Sequence, residues 1–162
     1  MELRHAERQD LPGILSIFNE VIVNSSAVYF FAPVELGERE AWFENRRAKG
    51  YPVIVAVDGS KVLGFASFGD WRSAPGYAWT VEHTVHVQAE CRGSGIGSAL
   101  VSELLVLAKT MGKHVMIGGI DAENTRSLAF HVRLGFEPVA HFRGVGRKFD
   151  RWLDLLFVQR QL

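Results

Sequence analysis

At 162 residues, 48% hydrophobic and 22% charged, the chain has the composition of a single globular domain spanning 1–162. Eighteen lysines and arginines balance eighteen aspartates and glutamates, which argues against a nucleic-acid partner, since that calls for a basic excess. The lone Cys91 excludes an internal disulfide and fits a reducing compartment. No apolar run reaches the roughly 20 residues that span a bilayer, and Met1–Glu7 has no signal-like apolar core, so the expected setting is the cytoplasm without a membrane partner.

In chain order, Glu2–His5 reads as a short strand. Asp10 reads as the N-cap of a helix with Leu11, Ile14, Leu15, Phe18 and Ile22 on one face and Pro12 in its first turn. The pattern breaks over Asn24–Pro33, which holds Tyr29, Phe30 and Phe31, and a second helix over Glu35–Lys49 stops at Gly50. Pro52–Val57 and Lys61–Phe68 form a hairpin about Asp58-Gly59-Ser60, a loop follows over Gly69–Gly76, and Ala78–Val87 is a strand. A glycine-rich turn over 93–97 leads into a helix over Ser98–Met111 with Leu100, Val101, Leu104, Leu105 and Ala108 apolar. His114–Ile120 is a buried strand and Asn124–Leu134 a helix ended by Gly135. Phe136–His141 and Trp152–Gln159 are closing strands joined by a loop. The order β-α-α-β-β-β-α-β-α-β-β predicts an α/β fold, a mixed twisted sheet with helices on both faces.

Cys91-Arg92-Gly93-Ser94-Gly95-Ile96-Gly97 joins a strand to a helix. Glycines at alternate positions clear the backbone for a phosphate, and the amides at the helix start then meet the anion. Alone, the motif serves equally as a tight turn. It lacks the Gly-Lys-Ser/Thr of a Walker A loop. A dinucleotide loop would need Gly-x-Gly-x-x-Gly early in the chain; Asp121 and Glu123 do follow the next strand, but the spacing and position fit poorly.

The motif Arg92-x-x-Gly95-x-Gly97, with Asn124-x-x-Ser127-x-x-x-His131-x-x-x-Gly135-Phe136 and this element order, resembles the GNAT family of N-acetyltransferases. Ser67-Phe68-Gly69-Asp70-Trp71-Arg72, Thr80–Val85 and Lys148-Phe149-x-Arg151-Trp152-Leu153-Asp154-Leu155 look like those members that acetylate phosphinothricin, methionine sulfoximine or methionine sulfone. The likeness covers nearly the whole chain and departs at Tyr29–Ala32. It implies acetyl-CoA as co-substrate, with Val85, His86 and Val87 along the pantetheine arm. It places Gly93, Ser94, Gly95, Ile96, Gly97 and Ser98 at the pyrophosphate and Asn124 near the pantetheine, with Arg92 and Ser127 among the cofactor-binding residues. It also implies a homodimer.

Transfer to nitrogen needs a neutral amine, so a carboxylate that removes the proton is expected. Glu82 lies in an otherwise apolar, β-branched strand, where burial would raise its pKa; an exposed or ion-paired carboxylate is the plain alternative. His83 and His86 stand three apart on a strand and point to opposite faces, so no metal site is expected. Glu82, Thr84 and His86 share one face, and the resemblance brings His83 to the substrate only if the strand is distorted. Many relatives carry a tyrosine where this chain has His131, which makes His131 either a proton donor to the leaving thiolate or a packed helix residue. No Ser/His/Asp nucleophile motif is present, so direct attack by the amine is expected, with a backbone N–H near Val85 for the developing oxyanion. Arg72, a guanidinium in a loop, suits a substrate carboxylate or is a solvated surface group. Tyr29, Phe30, Trp71, Ser73, Ala74 and Thr84 complete the expected acceptor pocket, with Lys148 either there or paired with Asp150, Asp154 or a neighbouring subunit. Other acceptors (a polyamine, an aminoglycoside, a protein N-terminus) and a non-catalytic acyl-CoA sensor are the competing readings.

Overall fold

The computed structural model describes all residues, 1–162. Seven strands form one sheet in the order β1-β2-β3-β4-β5-β7-β6: β1 Glu2–His5, β2 Val53–Asp58, β3 Lys61–Asp70, β4 Thr80–Val87, β5 Val115–Asp121, β6 Glu137–Lys148 and β7 Arg151–Gln161. Every neighbouring pair is antiparallel except β4 and β5. Helices α1 (Leu11–Asn24) and α2 (Leu36–Ala48) cover one face; α3 (Ile96–Thr110) and α4 (Thr125–Arg133) cover the other. No helix is long and apolar enough to cross a membrane.

Each face has its own core, because alternate strand residues point to opposite sides. Val53, Val55, Val57 and Phe65 meet Leu11, Ile14, Ile17, Phe18 and Ile22 of α1 and Phe43 of α2. Ile54, Ala56, Ala66, Phe68 and Val81 meet Leu100, Val101, Leu104 and Ala108 of α3. Both faces of the inner strands are thus apolar, which explains the unbroken burial of Val53–Val57.

Four local expectations need correction. The Asp10 carboxylate does not cap α1; it takes two bonds from the Arg4 guanidinium, at 2.7 and 2.8 Å, and one from the Glu7 amide at 2.7 Å. Strand β3 continues through Gly69 and Asp70, because the Arg46 guanidinium occupies the space a Gly69 side chain would fill and Asp70 is tied to Tyr51 and Lys49. The next strand begins at Thr80, after a 3-10 turn at Pro75–Tyr77. Finally, no loop separates the last two strands: β6 and β7 meet at a two-residue turn whose Phe149 and Asp150 both adopt left-handed φ, 53° and 58°. That is the twist a two-residue hairpin demands.

Candidate active site

Strands β4 and β5 pair only over Thr80–Glu82 against Val115–Ile117. Beyond Glu82 they part: β4 stays with β3 to Val87, and β5 stays with β7 to Asp121. The Gln88 amide donates to the Leu63 carbonyl at 2.9 Å. Antiparallel pairs alternate, so Thr84 and His86 turn their backbone groups to β3, while Val85 and Val87 turn theirs into the opening.

The opening ends at the glycine turn. Gly93 and Gly95 have φ of 85° and 88°, a region closed to most side chains. The first intrahelical bond of α3 runs from the Ala99 amide to the Gly95 carbonyl at 3.0 Å. The amides of Ile96, Gly97 and Ser98 therefore lie ahead of the ladder, at the positive end of the helix. Such an end suits a diphosphate. Arg92 anchors this turn: it pairs with Glu20 of α1 at 2.7 Å and donates to the Val87 carbonyl at 3.2 Å. A cation that the spacing did not single out, Arg126, brings its guanidinium within 3.7 Å of where a Gly93 Cβ would stand. Asn124 caps α4 by accepting from the Ser127 amide at 3.0 Å, which leaves its NH2 group unused by the cap.

Glu82 lies half-buried on the α1/α2 side, and burial pushes its carboxyl above the usual range. It faces Gly119 of β5: a Cβ there would stand 3.3 Å from Glu82 Oε1 and 3.5 Å from both Leu155 and Phe157. Phe157 meets Trp71 at 6.5 Å and Phe142 at 5.7 Å, each edge to face, and Trp71 meets Tyr77 at 5.2 Å. The exposed Arg72 guanidinium lies 4.7 Å above Trp71. An aromatic wall with a cation on its rim thus adjoins the carboxylate; Ser73, Ala74 and Thr84 are exposed. Phe30 stands edge-on to Phe18 at 5.6 Å, and Tyr29 packs on Gly146 of β6.

Four expected site residues have their side chains elsewhere. His83 does not reach the Glu82 side: without strand distortion it points to the opposite face, where its Nε2 meets His131 Nε2 at 3.2 Å. Gly118 makes room for this pair, since a Cβ there would come within 2.9 Å of His83 Nε2. His131 Nδ1 is 2.8 Å from the Ser127 carbonyl, which can only accept. The His131 proton is therefore on Nδ1, and its Nε2 accepts a hydrogen bond from His83 Nε2–H. Burial also lowers the His131 pKa, and its Nδ1–H is held by the Ser127 carbonyl. Lys148 is buried and donates to the carbonyls of Ile22, Ser25 and Val28 rather than meeting Asp150, Asp154 or the pocket. His86 likewise packs its ring between Phe18 and Phe65. Sequence reasoning passed over Gly118, Gly119, Phe142 and Phe157; a glycine pair inside a buried strand is itself a sign of close approach.

A model of the Acetyltransferase (GNAT) family matches residues 16–136. The L-methionine sulfoximine/L-methionine sulfone acetyltransferase of Pseudomonas aeruginosa is 46% identical over 99% of this chain and 94% of its own. The L-amino acid N-acyltransferase MnaT of Escherichia coli is 44% identical over 100% and 94%. Among solved structures, the phosphinothricin acetyltransferase of Sinorhizobium meliloti in complex with AcCoA superposes with a TM-score of 0.96 at 36% identity, covering 99% of this chain and 88% of its own. With its sheet split beyond Glu82 and its glycine turn at the mouth of the split, this chain belongs to the GNAT family of acetyltransferases.

Proposed function

We propose that the protein transfers acetyl from acetyl-CoA to the amine of a small amino-acid-like substrate of the methionine sulfoximine, methionine sulfone or phosphinothricin type, in the cytoplasm. The observation that carries this reading is the half-buried, unpaired carboxylate of Glu82 beside an aromatic wall rimmed by Arg72. The names of the relatives support the acceptor class.

Acetyl-CoA supplies the acetyl group as a thioester. The amides at the start of α3 would hold its diphosphate, with Arg126 at hand. The Val85 and Val87 backbone would pair with its pantetheine arm. Arg72 holds the acceptor carboxylate through parallel donors. Glu82, with a pKa lifted toward neutrality, takes the proton from the ammonium group, directly or through water, and frees its lone pair for attack in a ternary complex. The Val85 N–H, turned into the opening, serves the oxygen on which negative charge develops. Collapse of the adduct breaks the C–S bond, forms the amide and releases CoA as a thiolate that takes the second amine proton, directly or through water.

A screen of amines with acetyl-CoA, read by thiol release, tests the acceptor class; turnover confined to polyamines, aminoglycosides or protein N-termini would overturn it. Glu82→Gln should lower kcat at neutral pH by about 100-fold with acetyl-CoA affinity retained. Equal activity across the pH range would reject Glu82 as the base.

A further inference from the structure

The segment between α1 and α2 carries Tyr29 and Phe30 yet contains no helix or strand. Its position depends on groups from the far end of the chain. Lys148, in the last position of β6, is 3% exposed and donates all three ammonium protons: to Ile22 at 2.6 Å, Ser25 at 2.7 Å and Val28 at 2.7 Å. The Ile22 carbonyl belongs to the last turn of α1, where carbonyls lack intrahelical donors and a cation is favoured. Two more ties join the same segment to the sheet. The Ser26 hydroxyl donates to buried Asp121 at the end of β5, and the Tyr29 ring occupies the space above Gly146. The Tyr29 hydroxyl is shielded from water and has no partner within the protein.

A buried ammonium without a carboxylate is costly, and packing alone would be met by an apolar side chain of similar length. What only the ammonium supplies is a common anchor for three carbonyls over seven residues of chain. We propose that Lys148 is a positioning residue for the acceptor: it fixes the Ser25–Phe31 lip over the Glu82 side of the sheet, and so sets acceptor affinity without touching the acceptor. This rests on the placement of the acceptor beside Glu82 argued above.

The test is steady-state kinetics of Lys148→Met and Ser26→Ala, using whichever amine the wild type acetylates best. Lys148→Met should raise the acceptor KM by about tenfold or more while the acetyl-CoA KM stays within about twofold. Ser26→Ala, which loosens the same lip without touching the lysine, should shift the acceptor KM in the same direction by less. A lower Tm with both KM values unchanged, or equal rises in both, would overturn the proposal and leave Lys148 a purely structural group. If Lys148→Met yields no folded protein, an unchanged acceptor KM in Ser26→Ala overturns it. The split between the two KM values is read with any accepted amine, so rejection of amino-acid acceptors in the screen is a separate result.

Discussion

Acidification from about pH 7 to about pH 5 should destabilise the fold by several kcal/mol, because the protein buries imidazoles in their neutral form. Burial, then His131 and His86, hold His83 down to about 3; burial, then Arg39 and Arg92, hold His86 down to about 4. In the unfolded chain each titrates near about 6.5. Both folded values lie below that, so the unfolded chain binds more protons in between. The stability is present above about pH 6.5 and is lost as the pH falls toward those folded values. At about pH 5 each group has cost about 2 kcal/mol, together about 4, a large share of the 5–15 kcal/mol typical of a domain. His131, also lowered by burial, acts in the same direction. Glu82 acts the other way, since its raised carboxyl gains a proton more readily in the folded state. Urea unfolding followed by tryptophan fluorescence at the two pH values measures the difference as a shift in midpoint at constant slope. His86→Phe, which keeps a ring between Phe18 and Phe65, should remove about half of the pH dependence. Equal midpoints at both pH values in the wild type would refute the reasoning.

Arg72→Ala should raise KM by about tenfold for amines that bear a carboxylate and little for those that do not; the ratio of the two effects is the measurement, and an equal effect on both would remove Arg72 from the pocket. The β6–β7 hairpin leaves Phe142 45%, Phe149 55% and Trp152 65% exposed, which supports the homodimer that the family likeness implies. Sedimentation should then report about twice the mass of one 18.1 kDa chain; a single-chain mass at all concentrations would refute it.

The order of elements was legible because each core stripe repeats at its own period: Leu11, Ile14 and Phe18 on a helix, Val53 and Val55 on a strand. Parity along β4 placed Glu82 and His86 on one face and His83 on the other. The glycine turn announced itself by spacing. What escaped notice depended on partners distant in sequence. Phe149 and Asp150 carry no Asn-Gly signal, yet they form a left-handed turn between long strands. Register shifts within Pro138–Ala140 and Phe142–Gly146 broke the alternation that would have marked β6 as a twelve-residue strand. Gly69 looked like loop punctuation and proved to be a seat for Arg46. Lys148 reads as a pocket or ion-pairing residue, and only the meeting of β6 with the end of α1 reveals why it is inside.

The parting of β4 from β5 has a mechanical consequence. The sheet is two panels, stitched by a few rungs at one end and backed by α3. A long ligand bonded to the seam would act as a zip between the panels, and its binding energy would add directly to their cohesion. Occupancy of the seam by such a ligand would then raise the resistance of this protein to heat and proteolysis.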